Sequence, residues 1–190
     1  GGACAFGSRV VVAWWPTANP IPDAPPATLV LQGTSSRDTI TCVSGAAGNF
    51  PTPAAATTFL IAAGTSSGRV LVFRVPIDPT ARADATTRTE LHWHASACAA
   101  VCLLDADHLV SGGQEGVLVL WRLDRGSTSR TFLPRLSAPI AAIASGAPFA
   151  PAANSCWTLL ADGVVLDVEI PSLVVRRRVR AALPTSAALV

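Results

Sequence analysis

His92 and His94 flank Trp93 two positions apart, a spacing that places both imidazoles on one face of an extended strand. That is half of a metal site. Zinc takes three or four ligands, and no Cys, Asp or Glu nearby supplies the others, so a structural His94 is the better reading and no metal is expected. Ser111, His108 and Asp105 have the residue types of a nucleophile, a base and an orienting acid. However, no G-x-S-x-G elbow surrounds Ser111, which lies in a run that reads as a buried strand. The turn Gly112-Gly113-Gln114-Glu115-Gly116 lacks the Lys and following helix of a phosphate-binding loop. Asp105 and Asp107 sit in a hairpin turn, the commonest place for Asp. Cys98 and Cys102, on one strand face, are separated by about 13 Å of strand rise, too far for a disulfide. Their neighbours Ala, Val and Leu offer no cation to activate a thiol. No catalysis, cofactor or small-molecule substrate is expected.

The elements that carry these residues recur. Ala63-Gly64-Thr65-Ser66-Ser67-Gly68 precedes Arg69-Val70-Leu71-Val72-Phe73, and Ser111-Gly112-Gly113-Gln114-Glu115-Gly116 precedes Val117-Leu118-Val119-Leu120-Trp121. Leu160-Ala161-Asp162-Gly163 precedes Val164-Val165-Leu166-Asp167-Val168. The glycines Gly68, Gly116 and Gly163 are 48 and 47 residues apart. A fixed period in that range, made of short strands, is the signature of propeller blades. The clearest period divides into strands at about Cys98–Leu104, Leu109–Ser111, Val117–Leu123 and Thr128–Leu133. The period before it gives strands over 39–43, 58–63, 69–75 and 88–93, and the one after gives 140–144, 156–160, 164–170 and 173–179. Upstream, Arg9–Trp15 and Thr28–Gln32 read as the last two strands of a blade whose start is missing. Near-continuous apolar runs fit strands buried on both faces between stacked blades. The fold is expected to be all-β, about three and a half four-stranded blades of one larger propeller, with blade portions near 1–32, 33–93, 94–136 and 137–190. Three Pro/Ala/Thr-rich or irregular stretches, Pro16 to Ala27, Gly45 to Thr58 and Pro76 to Thr87, read as long surface loops.

Composition supports a packed domain: 50% of the 190 residues are apolar and 14% charged. The 14 basic residues are all arginine, and a net charge of +2 does not by itself argue for nucleic acid. No apolar run approaches the ~18 residues of a membrane helix. Gly1 to Phe6 lacks the basic start and apolar centre of a signal peptide. Five scattered cysteines without a CxxC pair fit a reducing interior compartment with free thiols. A glycine start and the lack of methionine point to an excised segment. Because propellers close radially to hide their edges, further blades are expected on both sides. The segment alone is expected to aggregate or remain partly unfolded.

The stretch Leu91 to Leu136 resembles a WD repeat. In that family a His, a Ser/Thr, an Asp and a Trp form a hydrogen-bonded tetrad, and the matching positions here are His94, Ser111, Glu115 and Trp121. Such a buried network is favourable when complete and then locks the blade. Two departures stand out: Glu115 replaces the usual Asp, and Arg122 rather than Asp follows Trp121. In the preceding blade Thr34, Ala63, Ser67 and Phe73 hold the same places, so no network is expected there, nor in the last blade. Three runs carry a narrower likeness: Leu91-His92-Trp93-His94, the segment Ser111 to Trp121, and Phe132-Leu133-Pro134-Arg135-Leu136-Ser137-Ala138-Pro139-Ile140. In this order and spacing, over roughly 88–145, they are similar to a WD-repeat subunit family of the small-subunit processome. The resemblance implies a nucleolar scaffold whose partners are other WD-repeat subunits and precursor ribosomal RNA or small nucleolar RNA. A WD-type adaptor in ubiquitin ligation, trafficking or signalling is the alternative, and a propeller hydrolase with a channel site is the third reading.

The candidate contacts are arginines. Arg135, between Pro134 and Leu136, is expected on a rim loop, where an Arg beside apolar residues suits a partner chain. Alternation over Val175–Arg180 is expected to put Arg176, Arg178 and Arg180 on one face of an outermost strand. Such a stripe either keeps sheet edges apart or meets RNA phosphate or an acidic partner.

Overall fold

A computed structural model describes residues 2–6, 9–14, 27–32, 38–47, 58–76, 87–123, 128–145 and 155–180. All regular structure among them is β. Gly2–Phe6 (β1), Arg9–Trp14 (β2) and Ala27–Gln32 (β3) form a three-stranded antiparallel sheet. The second sheet is Ile40–Ala47 (β4), Thr58–Thr65 (β5), Arg69–Pro76 (β6) and Thr87–His92 (β7). The third is Cys98–Leu103 (β8), His108–Gly113 (β9), Leu118–Arg122 (β10) and Ser129–Leu133 (β11). The fourth is Ile140–Ser145 (β12), Ser155–Leu160 (β13), Val164–Glu169 (β14) and Val175–Arg180 (β15). Each is a meander in chain order. Two details differ from the sequence reading. Gly2–Phe6, to which the sequence reading assigns no strand, forms β1 and pairs with β2, and Gly45 to Ala47 extend β4 instead of opening a loop. Residues 15–26, 48–57 and 77–86, which carry most of the expected loops, and Thr34 lie outside the described residues.

The sequence period becomes a repeated hairpin. Gly68, Gly116 and Gly163 have φ of 77°, 79° and 80°, the left-handed region open to glycine. Their N–H groups donate to Thr65, Gly113 and Leu160 carbonyls, closing the same turn three times. The N–H groups of Ser66, Gln114 and Ala161 donate to the carbonyls of Thr39, Ala97 and Pro139, just ahead of β4, β8 and β12. A bulge follows in each blade, at Ile40/Cys42, Cys98/Ala100 and Ile140/Ala142.

Blades stack through their faces. One apolar cluster joins Leu60, Val70, Val72 and Leu91 of the second blade to Val119 and Trp121 of the third. Another joins Val110, Leu118 and Leu120 to Leu160, Leu166 and Val168 of the fourth. Consecutive residues Val70, Leu71, Val72 and Phe73 are all buried because odd and even positions face different neighbours. In β13 and β14 burial alternates, with the buried set against the third blade. Polar ties reinforce the seam between the second and third blades: Leu103 N–H donates to Ser44 Oγ at 3.1 Å, and Arg74 Nη2 to the Leu123 carbonyl at 3.3 Å.

Candidate functional site

His94 follows β7 and is carried into the interior by the connection to β8, where it is 1% exposed. Its Nε2 lies 2.8 Å from Ser111 Oγ in β9, and its Nδ1 lies 2.5 Å from Glu115 Oε1 in the next turn. Trp121 Nε1 in β10 donates to the same Ser111 oxygen at 2.8 Å. The indole is donor-only, so the chain is satisfied when Ser111 donates to Nε2 and Nδ1–H donates to the carboxylate. The extra methylene of Glu115 finds its room at Gly113: a Cβ there would lie 2.2 Å from Oε1 and 2.4 Å from Cδ. The second oxygen, Oε2, is buried without a hydrogen-bond partner. Gly113→Ala is therefore expected to expel the carboxylate and cost about 1–3 kcal/mol, measured by urea denaturation. Shortening the acid as well, in Gly113→Ala/Glu115→Asp, should recover part of the loss.

The neighbouring blades solve the same turn differently. Ala63 and Phe73 carry no polar group, as the sequence implied, but Asp38 supplies one that the sequence reading missed. The buried Asp38 carboxylate accepts from Ser66 Oγ at 2.9 Å, Ser67 N at 3.1 Å and Ser67 Oγ at 2.7 Å. Thr65 Oγ1 adds a contact of 3.1 Å to Ser67 Oγ. The expectation of no network in that blade is thus corrected: an acid from the entry segment replaces the His–Ser–Trp chain. In the fourth blade Thr158 is fully buried, but Leu136 and Val168 stand where the ring donors would be.

Ser111, His108 and Asp105 are not brought together as a nucleophilic set. Asp105 Oδ1 accepts from the N–H groups of Asp107 and His108 at 2.8 and 2.7 Å, and His108 Nδ1 contacts the same carboxylate. That is turn capping at the far end of β9 from Ser111's partners. His92 is exposed and His94 buried, so the two rings do not share a site. Among the described residues no group of three or more His, Cys, Asp or Glu side chains is placed to hold a metal ion.

Cys98 and Cys102 do not share a face. The bulge at Cys98/Ala100 inverts the alternation, so Cys98, Val101 and Leu103 pack toward the second blade and Ala100 toward the fourth. Cys98 instead meets Cys42: a Cβ on Gly64 would lie 2.5 Å from Cys42 Sγ and 2.8 Å from Cys98 Sγ. A hydrogen bond from Cys98 holds the Cys42 thiol below the ordinary range, and the same bond, then burial, pushes Cys98 well up. Burial pushes Cys156 up to about 12 and also raises Cys102. Iodoacetamide is therefore expected to label Cys42 first among these four in the folded chain, with a pH midpoint below that of a free thiol. Cys98→Ala should move that midpoint upward; mass spectrometry of tryptic peptides reads both.

The predicted arginines are all exposed, but not as one stripe. A register shift at Asp167/Val168 interrupts β15's pairing with β14. Arg178 and Arg180 pair with Leu166 and Val164, on the side facing the third blade, whereas Arg176 falls at the irregularity and bonds Glu169. The Glu169 carboxyl is held low by the Ser172 hydroxyl first and Arg176 second. Arg178 Nη2 reaches Ser137 Oγ at 3.4 Å, in the connection that carries Arg135. An exposed cluster that sequence reading passed over lies one blade away. Trp93 and Phe132 have ring centroids 5.1 Å apart, and the Arg130 guanidinium sits 4.4 Å over the Trp93 ring. The available signal was the spacing of Arg130 and Phe132, two apart on β11 and hence on one face.

Three stacked four-stranded meanders, each entered through the same turn and bulge, define this chain as part of a WD-type β-propeller. No protein-family model matches it. A segment of 56 residues is 48% identical to U3 small nucleolar RNA-associated protein 17 of Schizosaccharomyces pombe. The match covers 29% of this chain and 7% of that protein, so the chain shares a short segment of a much longer relative.

Proposed function

We propose that this chain is a non-catalytic scaffold segment of a small-subunit processome subunit, of the WD repeat-containing protein 75 (U three small nucleolar RNA-associated protein 17) type. In this reading it supports transcription and processing of precursor ribosomal RNA in the nucleolus. Its partners are other WD-repeat subunits and precursor ribosomal or small nucleolar RNA, with no cofactor and no small-molecule substrate. The observation that carries the reading is the 48% identity over 56 residues to a protein named for its association with U3 small nucleolar RNA. Stacked blades with exposed outer strands supply the broad surface that such a role needs. Arg135, Arg178 and Arg180 are the cations offered to phosphate or to acidic partner residues.

Affinity purification of the tagged protein from cells is the test. U3 small nucleolar RNA and processome subunits should co-purify, and the protein should stain the nucleolus. Recovery of ubiquitin-ligase or vesicle-coat subunits without U3 would replace this reading with the adaptor one. Reversing Arg135, Arg178 and Arg180 to Glu should weaken crosslinking to precursor RNA, and the loss should lessen as salt rises and screens the wild-type contact.

A further inference from the structure

We infer that the outer cleft between the second and third blades is a binding site for single-stranded RNA, with a base stacked on the Trp93–Phe132 pair and phosphate held by Arg130. This rests on the processome reading and names the part of the surface that meets RNA. Strand register fixes the geometry. Phe132 pairs with Val119 and Arg130 with Trp121, and those partners belong to the cluster shared with the second blade. Both side chains therefore point into the cleft from the third blade, and Trp93 reaches it from the end of β7.

An aromatic pair of this kind would ordinarily be buried. Here Trp93 is 37% and Phe132 50% exposed, so the rings keep area free for a flat ligand. Aromatic side chains stack any base, and a neighbouring guanidinium adds cation–π and phosphate contacts. The charge of the walls selects the ligand. β7 faces the third blade with Thr89 and Leu91, which pair with Val72 and Val70 of the shared cluster. Among the described residues of β7 and β11, the one carboxylate is Glu90, which lies on the opposite face of β7 and is engaged by Arg69 and Arg88. A cleft with an arginine, threonine hydroxyls, two exposed rings and no acid facing it among the described residues of β7 and β11 matches a polyanion carrying flat bases. An acidic peptide would satisfy the arginine but leave the rings without a stacking partner.

The test uses the full-length protein and a labelled single-stranded RNA of about ten nucleotides and mixed sequence, with the same sequence as a duplex for comparison. Phe132→Ser and Trp93→Ala should each lower single-strand affinity by about tenfold, the worth of one stacked base, while Trp93→Phe retains most of it. Crosslinking in cells should lose the corresponding site while processome subunits still co-purify. Equal binding of duplex and single strand, or unchanged affinity in both ring variants, would overturn the site while leaving the scaffold reading intact. Loss of a protein partner with RNA crosslinks unchanged would overturn it in favour of a peptide occupant. Failure of U3 and processome subunits to co-purify with the unsubstituted protein would instead count against the reading beneath it.

Discussion

Replacing His94 with alanine is expected to destabilise the protein by about 3–5 kcal/mol, the combined cost of leaving a carboxylate and a hydroxyl without their hydrogen-bond partner and of opening a cavity. The imidazole is the only link between Ser111 in β9 and the Glu115 carboxylate in the turn. Without it, Glu115 keeps a carboxylate that already has one buried oxygen unpartnered, now beside a cavity the size of a ring. Trp121 would still donate to Ser111, but Ser111 would lose its acceptor. Ser111→Ala should cost less, about 1–3 kcal/mol, because it strands two neutral groups and leaves the His94–Glu115 hydrogen bond in place. Trp121→Phe removes one donor and some area and should be the mildest. This order, read from urea midpoints, is the discriminating result: a negligible loss for Ser111→Ala, which removes almost no volume, would mean that the polar chain contributes nothing beyond packing.

Gly68→Ala is expected to be comparably severe, about 3–5 kcal/mol, and worse than Gly116→Ala. Both glycines have nearly the same φ, 77° and 79°, so the left-handed strain of about 1–2 kcal/mol is common to the two variants. They differ in what a methyl group meets. At Gly68 the Cβ would lie 2.2 Å from the His94 carbonyl oxygen and 2.6 Å from that of Ser96, both backbone atoms. At Gly116 the nearest backbone oxygens, of Ala138 and Leu136, are at 2.9 and 3.2 Å. Moving the His94 carbonyl also shifts the ring on which the polar chain depends. The difference between the two variants, measured by denaturation or pulse proteolysis, therefore isolates the contact from the strain.

Much of this architecture was legible because it rests on local rules that repeat. A glycine at positive φ followed by an apolar run marks the second-to-third strand hairpin of the second, third and fourth blades. His94, Ser111, Glu115 and Trp121 were legible only through the resemblance to a WD repeat, and the structure links them in one hydrogen-bonded chain. The misreadings occurred where one residue breaks the alternation. The bulge after Cys98 sends Cys102 to the other face, and the register shift in β15 separates Arg176 from Arg178 and Arg180. A bulge leaves little trace in a sequence, since it is decided by backbone pairing with the neighbouring strand. Long-range partners were equally hidden. Asp38 meets Ser67 across 29 positions, and Cys42 meets Cys98 across 56; neither pairing follows from local pattern.

The seat that Gly68 makes for the His94 and Ser96 carbonyls, and that Gly116 makes for those of Leu136 and Ala138, in both cases receives the connection that leads into the next blade of the chain. Leu136 N–H also donates to the Gly116 carbonyl at 2.8 Å, in the same sense. During synthesis on the ribosome, N-terminal parts emerge first, so each finished hairpin is a docking platform already present when its occupant leaves the exit tunnel. The joints are thereby made in chain order, the hairpin first and the connection that docks on it second.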